Sequence, residues 1–259
     1  MKKVHLMITI LLMGILTFSG VALAEEKEQK GIFDLENFSA TFTLTTDYVF
    51  RGISQTDSKP AVQGSMDYSH PVGIYLGIWG SNVNSGISKG GVELDFYAGY
   101  ARELFTNFNA DVSVLYYYYP SGGSDPEPDY WEGSLKLDYT FASLPLNPKL
   151  GATYYYSPDF FGEDGNAHYV SGFLELALPY EFTLSGELGY QDVEGDKLTG
   201  DNQGEDGGDG FDYYNWRIGI SRDLLGFSLS LNYHDTDEAN FLGEDIADER
   251  VVFTISRSF

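Results

Sequence analysis

The most informative stretch of the chain is residues 38–51, which read FSATFTLTTDYVFR. Apolar and aromatic side chains occupy every second position from Phe38 to Phe50, interrupted only by Thr46, and mostly polar residues stand between them. A helix would scatter these aromatic residues around its circumference, whereas a β-strand places them on one face. The pattern therefore predicts a strand from Phe38 to Phe50 with an apolar and a polar face.

The same period of two recurs to the end of the chain, with no helical stretch between the segments. An apolar face that alternates with a polar face over about a dozen short segments is typical of a transmembrane β-barrel. We predict an all-β fold, an up-and-down antiparallel barrel of about twelve strands. The residues predicted for its outer face include Phe42, Leu44, Leu94, Phe96, Leu135, Leu137, Leu188, Ile218, Leu229 and Phe253. The segment Ile74–Val83 has aliphatic residues on one face and Tyr75 and Trp79 on the other, so its facing stays open.

The connections between these segments differ in length at the two ends of the predicted barrel. Short connections fall near 70–73, 101–107, 142–148, 179–181 and 222–226. The connections near 54–60, 84–91, 120–129, 157–167, 192–212 and 235–249 are mostly longer and acid-rich. Bacterial outer-membrane barrels have short periplasmic turns and long extracellular loops. This alternation predicts that both termini lie in the periplasm.

The first 24 residues have the three parts of a secretory signal peptide. Lys2 and Lys3 give a positive start, an apolar run follows, and Ala22-Leu23-Ala24 is a small-residue cleavage site. A single spanning helix would need roughly 20 apolar residues. We therefore predict cleavage after Ala24, a periplasmic tail over residues 25–37 and an outer-membrane barrel over residues 38–259.

Composition excludes several classes of function. The chain has no cysteine, so disulfides and thiolate metal sites are excluded. It has 39 acidic and 15 basic residues, a net charge of −24, which argues against nucleic acid as a partner. The 20 tyrosines and 18 phenylalanines fit aromatic girdles at two membrane interfaces. The partners we expect are outer-membrane lipid, the barrel-assembly machinery and small solutes, with no cofactor.

Two blocks of sequence carry a family resemblance. TLTTDYVFRGISQTDSKPAVQGSMDY (Thr43–Tyr68) and IYLGIWGSNV (Ile74–Val83) resemble the opening of the TorF-family porins, proteobacterial outer-membrane barrels long grouped as conserved proteins of unknown function. The final aromatic residue, Phe259, resembles the signal that the outer-membrane assembly machinery reads. The resemblance implies an outer-membrane location and a channel, and it supplies no substrate.

Charged residues on the polar face of the predicted strands are the candidate pore-lining residues. Acidic residues outnumber basic ones, so the lumen is expected to favour cations by the logic of carboxylate rings in channels. The alternative is that these charges pair across a closed interior. The candidates are Asp47, Arg51, Asp67, Glu93, Asp95, Asp111, Glu132, Lys136, Asp138, Glu175, Glu187 and Arg217.

Three further patterns have a weaker functional interpretation. GGDGFD (Gly207–Asp212) matches one unit of a calcium-binding repeat, with Asp206, Asp209 and Asp212 as candidate ligands, but one copy is better explained as an acidic loop. The tyrosine runs 116–119 and 154–156 could stack sugars or nucleosides, and an interfacial girdle is the more economical explanation. Ser230, Asn232 and His234 share one strand face, as alternating polar residues do on every strand, so we predict no enzyme.

Two functions therefore remain open. The first is a porin-like channel for passive diffusion of small, cationic or neutral solutes. The second is a narrow or closed structural or adhesive barrel that acts through its acidic extracellular loops. A soluble periplasmic β-sandwich is disfavoured, because the apolar faces are rich in aromatic residues and the loop lengths segregate by side.

Overall fold

The computed structural model describes residues 31–84, 90–120, 122, 126–195, 210–237 and 245–259. Within these residues twelve strands close into one antiparallel barrel, which confirms the predicted fold class. No helix in the described ranges is long and apolar enough to cross a membrane. The predicted signal peptide, residues 1–24, lies outside the described residues.

The barrel strands pair with their neighbours in the sequence, and the first closes on the last. A separate pair, β2 and β3, forms a small hairpin that is not part of the wall. The strands are β1 (Phe38–Thr45), β2 (Val49–Phe50), β3 (Ile53–Ser54), β4 (Ala61–Ser69), β5 (Ile74–Asn82), β6 (Val92–Phe105), β7 (Phe108–Tyr118), β8 (Tyr130–Thr140), β9 (Lys149–Ser157), β10 (Ala167–Ala177), β11 (Phe182–Val193), β12 (Phe211–Leu224), β13 (Phe227–Thr236) and β14 (Arg250–Ser258).

Side chains alternate between the outside and the lumen along every wall strand. On β8, for example, Trp131, Leu135 and Leu137 are exposed, while Glu132 and Lys136 are buried. All ten residues predicted for the outer face lie there, which confirms the predicted strand facings at these positions. A soluble protein rarely exposes so continuous an apolar surface, and a lipid environment would cover it.

Exposed aromatic residues form a belt near each end of this apolar surface. One belt contains Tyr118, Trp131, Tyr154, Tyr156 and Tyr214, with the half-buried Tyr116 beside them, and the other contains Phe38, Tyr100, Phe105 and Tyr139. Trp131 and Tyr139 are eight residues apart on β8, about 27 Å along the strand at ~3.4 Å per residue. With a strand tilt of ~40°, the belts stand about 20 Å apart, close to the ~25 Å apolar band of outer-membrane barrels.

The two ends of the barrel differ in the length of their connections. At the end that carries Phe38 and Phe259, here called the terminus end, the longest connection is 141–148. At the opposite end, here called the loop end, no connection is shorter than 83–91 or 158–166. The predicted segregation of short turns and long loops is therefore present in the fold.

The first strand is shorter than the sequence pattern predicts. β1 ends at Thr45 rather than Phe50, and Asp47, Tyr48 and Arg51 lie in the connection to β4. The chain leaves the wall there because the Asp47 carboxylate accepts hydrogen bonds from Ser54 Oγ and Thr56 Oγ1, both at 2.7 Å. The alternation of TDYVFR thus continues past the end of the wall strand.

Two other facings are settled by the structure. On β5, Tyr75 and Ser81 are buried while Leu76 is exposed, so the aromatic face of this segment lies in the lumen. The tyrosine run 116–119 is divided: Tyr116 and Tyr118 contribute to the outer belt, as expected of a girdle, but Tyr117 and Tyr119 are buried inside. The girdle interpretation is therefore wrong for half of that run.

Candidate functional site

The connection 46–60, here called the lumen hairpin, is the feature that distinguishes the interior of this barrel. It contains β2 and β3, and most of its side chains are buried, including Tyr48, Ile53, Ser54 and Thr56. It leaves the wall at β1 and reaches strands β8–β11. In the closed strand order β9 lies six strands from β1 in either direction, so the hairpin crosses the full width of the lumen.

Asp47 holds the hairpin to the wall beside it. One carboxylate oxygen accepts from Ser54 and Thr56, and the other pairs with Arg250 Nη1 of β14 at 3.0 Å. The side chains of this ion pair are 9% and 6% exposed for Arg250 and Asp47. Thr45 Oγ1 also donates to the Asp47 carbonyl at 2.8 Å, so the point at which the chain turns inward is fixed by several bonds.

Arg51 holds the hairpin to the opposite wall. Its Nη2 donates to Glu132 Oε2 at 2.7 Å, and its Nη1 donates to Gln191 Oε1 at 2.8 Å. Its guanidinium carbon lies 4.9 Å from the ring centroid of Tyr155 and 4.3 Å from that of Tyr169. These four wall residues, here called the Arg51 cage, come from the consecutive strands β8, β9, β10 and β11. The Arg51 and Glu132 side chains are only 5% and 1% exposed.

The backbone at the tip of the hairpin is in a conformation that most residues avoid. Arg51 has a φ of 47° and Gly52 a φ of 86°. A Cβ at Gly52 would lie 2.4 Å from Thr236 Cγ2 and 2.8 Å from Asn215 Cβ, so only glycine fits there. A non-glycine residue in the left-handed region costs free energy, and such positions cluster at functional sites.

The loop end of the lumen is packed around the hairpin. Tyr48 donates to Glu93 Oε1 at 2.8 Å and packs edge-on against Trp79, with ring centroids 5.3 Å apart. Burial, together with the nearby carboxylates of Glu93 and Asp95, raises the pKa of the Tyr48 phenol well above its ordinary value, so the hydroxyl stays protonated and donates. On the far side of the hairpin, Ile246 covers Ile53.

One side of the lumen carries carboxylates that have no basic partner among the residues that the structure describes. Asp67 of β4 accepts from the Tyr97 hydroxyl, Glu93 of β6 accepts from Tyr48, and a buried oxygen of Asp95 has no hydrogen-bond partner. These three residues are here called the acidic wall. The only basic residue in strands β4–β6 is Arg102, which is exposed. Basic side chains on the same strands therefore do not neutralise the acidic wall.

The opposite side of the lumen carries both signs of charge. Arg217 Nη2 lies 3.3 Å from Glu187 Oε2, and Lys149 Nζ lies 3.7 Å from Asp138 Oδ2. Lys149 faces Glu175 in the β9–β10 register. Lys136 lies 5.0 Å from the ring centroid of Phe173. Charges on β8–β12 are therefore locally balanced, unlike those of the acidic wall.

The structure places the predicted pore-lining residues inside the barrel but does not bring all of them together. Asp111 pairs in register with Ala101 and Lys136, whereas Asp95 pairs with Tyr117. Asp111 therefore lies about 20 Å along the wall from Asp95, at ~3.4 Å per residue. The sequence interpretation also missed two lumen bases, Lys149 and Arg250, which stand at the first positions of their strands.

The comparisons with known proteins fit this geometry. A family model described as "Bacterial protein of unknown function (Gcw_chp)" matches residues 33–259. The chain belongs to this family. No curated protein sequence matches it. Among solved structures, the Gcw_chp chain is similar to the NanC porin, with a TM-score of 0.53, 12% identity, and coverage of 85% of this chain and 97% of that chain.

A second solved structure gives the same result. The KdgM porin, in a structure titled as a complex with disordered oligogalacturonate, has a TM-score of 0.53 and 8% identity, and the match covers 85% of this Gcw_chp chain and 98% of that chain. At such identities the likeness concerns the fold alone. The fold of this Gcw_chp protein is therefore that of outer-membrane porins.

The structure adds little to the metal and catalytic patterns of this Gcw_chp chain. Asp206 and Asp209 lie outside the described residues, and Asp212 stands on the exposed face of β12 rather than in a loop. Among the residues that the structure describes, no group of three or more His, Asp or Glu has metal-binding geometry. Asn232 accepts from Arg217 Nη1 at 3.0 Å and donates to Ser230 Oγ at 3.1 Å, so its polar atoms serve the hydrogen bonding of the lumen wall.

The C-terminal residue closes the barrel. The Phe259 N–H donates to the Ala40 carbonyl at 2.9 Å, and the Ala40 N–H donates to the Phe259 carbonyl at 3.3 Å. The Phe259 ring is 73% exposed. Its backbone contributes to the seam between β14 and β1, while its ring lies 5.2 Å from the guanidinium carbon of Arg257.

Proposed function

We propose that the protein is a porin-like channel of the outer membrane, through which small solutes diffuse passively past the lumen hairpin. The support is the closed porin fold, the two aromatic belts and a lumen lined by polar and charged side chains. The observation that carries the proposal is the hairpin itself, a segment that crosses the lumen and is held by two ion pairs. It limits conductance while it is docked.

The sequence supports the finer parts of this proposal. The resemblance of Thr43–Tyr68 and Ile74–Val83 to TorF-family porins favours the same cellular location. Short turns at the terminus end favour periplasmic termini after signal-peptide cleavage at Ala24. The exposed ring of Phe259 fits recognition by the barrel-assembly machinery. We also propose that the barrel carries out no catalysis.

We further propose that the conducting state prefers cations because of the acidic wall. Once the hairpin leaves, water reaches Asp67, Glu93 and Asp95, and hydrated carboxylates are ionised at neutral pH. Charges in a narrow water-filled lumen are screened less than charges on a surface. The locally balanced charges of β8–β12 do not cancel the field of the acidic wall.

Bilayer recording of the refolded protein tests this proposal. We expect discrete conductance steps and, in a KCl gradient, a reversal potential on the cation-selective side. The double variant Glu93→Gln/Asp95→Asn should lower the cation-to-anion permeability ratio, most visibly at low salt. The matched control Asp192→Asn/Asp212→Asn removes the same charge from the outer face and should leave the ratio unchanged. An unchanged ratio in the lumen variant would contradict the role of the acidic wall.

One observation favours a second candidate function. The side chains around the hairpin are almost fully buried, with Glu93, Tyr117, Glu132 and Gln191 each 1% exposed. A hairpin that never leaves would make the protein a closed structural or adhesive barrel. That function predicts no conductance from the wild type or from variants in which Arg51 or Asp47 is replaced.

A further inference from the structure

The Arg51 cage is built by the wall and not by the hairpin. Glu132 is fixed by Tyr117, whose hydroxyl donates to Glu132 Oε2 at 2.9 Å. The amide of Gln191 is oriented by its own Nε2, which donates to the carbonyls of His168 at 3.2 Å and Asp192 at 3.4 Å. That orientation turns Gln191 Oε1 toward the lumen as an acceptor.

The aromatic sides of the cage are also held by wall contacts. The Tyr169 hydroxyl donates to Asn215 Oδ1 at 3.3 Å, and the rings of Tyr155 and Tyr169 lie 6.2 Å apart between centroids. Neither contact involves residues 46–60. The cage therefore keeps its two acceptors and two ring faces when the hairpin is elsewhere.

The geometry of the cage matches a guanidinium group. Two oxygens, Glu132 Oε2 and Gln191 Oε1, accept hydrogen bonds from two different guanidinium nitrogens of Arg51. Tyr155 and Tyr169 present their rings to its planar carbon. A planar cation with diverging donors satisfies both acceptors and stacks on both rings, whereas a compact ammonium ion does not.

Arg51 occupies this site as a tethered ligand. It is attached to a segment whose backbone is strained at Arg51 itself, with a φ of 47°. It is also attached to a hairpin whose further contacts with the wall include Asp47–Arg250 and Tyr48–Glu93. Any soluble group that fills the cage competes directly with docking of the hairpin.

We propose that the Arg51 cage is a binding site for soluble guanidinium compounds, which take the place of Arg51 and so favour the undocked hairpin. The ligand class follows from the cage: a monosubstituted guanidinium with a small or flexible substituent that points into the lumen. The proposal deepens the proposed channel function by naming a solute class, and it rests on that function only for the route by which the solute arrives.

Binding to an emptied cage tests the proposal without any measurement of transport. The full chain carrying Arg51→Ala is refolded in detergent, and binding of ethylguanidinium is followed by saturation-transfer NMR at constant ionic strength. Ethylammonium is the matched cation that lacks the planar fork. We expect saturable binding of ethylguanidinium at least tenfold tighter than that of ethylammonium. The second substitution in Arg51→Ala/Glu132→Gln should weaken it at least tenfold.

Equal binding of the two cations, or binding that Glu132→Gln leaves unchanged, would overturn the proposal. Retained heat-modifiable migration on a gel shows that each variant is a folded barrel, and Arg51→Gly, which suits the φ of 47°, replaces Arg51→Ala if the latter does not refold. Failure of the channel function would appear differently, as absence of conductance with binding intact. In the wild type, ethylguanidinium should increase the exposure of the hairpin, and ethylammonium at the same concentration should not.

Discussion

Replacement of Glu132 by glutamine should release the lumen hairpin. The substitution keeps the size of the side chain but leaves the Arg51 guanidinium buried without its charge partner. Removal of one partner from a buried ion pair typically costs about 3–5 kcal/mol. Because Gln191 and the rings of Tyr155 and Tyr169 still hold Arg51, we expect the lower figure. A cost of about 3 kcal/mol shifts the docking equilibrium roughly 100-fold, since every 1.4 kcal/mol is a factor of ten.

The absence of cysteine from the chain provides the assay. Val49 lies in the hairpin and is 8% exposed, so a Val49→Cys substitution places the only thiol of the protein where it is protected while the hairpin is docked. The rate of maleimide modification then reports the undocked fraction when docking is fast relative to labelling. Addition of Glu132→Gln to this background should raise the rate by about 100-fold.

Asp138→Asn is the matched control for this prediction. It neutralises another buried lumen carboxylate, Asp138, whose partners among the described residues are Lys149 at 3.7 Å and Asn109 at 2.8 Å, both on the wall rather than in the hairpin. The labelling rate should change less than twofold in this variant. A labelling rate in Glu132→Gln that equals the rate in Asp138→Asn would refute the reasoning that the Arg51–Glu132 pair holds the hairpin.

Three further predictions concern the register, the terminus and the near-wall contact. Leu135→Arg on the outer face should destabilise the folded barrel by about 2–4 kcal/mol in lipid. Ser134→Arg, one residue away and facing the lumen, should cost under about 1 kcal/mol. Equal costs of the two variants in urea titrations would contradict the assigned facing. Deletion of Phe259 should strongly lower the amount of barrel in the outer membrane but should lower the melting temperature only slightly. The thermal effect is small because the deletion removes two backbone hydrogen bonds worth about 0.5–1.5 kcal/mol each. A normal amount of the truncated protein in the outer membrane would argue against a role of Phe259 in assembly. Tyr48→Phe keeps the ring against Trp79 but leaves Glu93 Oε1 without its donor. This should weaken docking of the hairpin by ~1–2 kcal/mol and so raise the labelling rate of Val49→Cys about tenfold. An unchanged labelling rate would show that this contact does not hold the hairpin.

The wall of the barrel could be predicted from the sequence because its physical rule is local. A strand with lipid on one side and water on the other repeats every two residues, and residues such as Leu135 and Lys136 show their facing without reference to the rest of the chain. The facing of β5 could not be predicted by this rule, because Tyr75 and Trp79 are aromatic residues that face the lumen. Trp79 is there to pack on Tyr48, which the sequence places 31 residues away.

The hairpin could not be predicted by the same rule. Residues 46–51 continue the alternation of β1, so the pattern alone gives no sign that the wall strand has ended at Thr45. The available signals were Gly52 and the short polar residues Asp47, Ser54 and Thr56, which favour turns. The partner of Arg51 is set by tertiary structure: Glu132 lies 81 residues away along the chain, and only closure of the barrel brings the two together.

The most direct test of the account is the single-channel conductance of a barrel without the hairpin. Thr45 and Ala61 are paired in the β1–β4 register, so residues 46–60 can be replaced by the dipeptide Asn-Gly, which suits a two-residue hairpin turn. The barrel wall stays intact, and the segment that crosses the lumen is gone. The account predicts that the shortened protein conducts several-fold more than the wild type under identical salt conditions. Equal conductance of the two folded proteins would contradict the claim that the hairpin limits passage through the lumen.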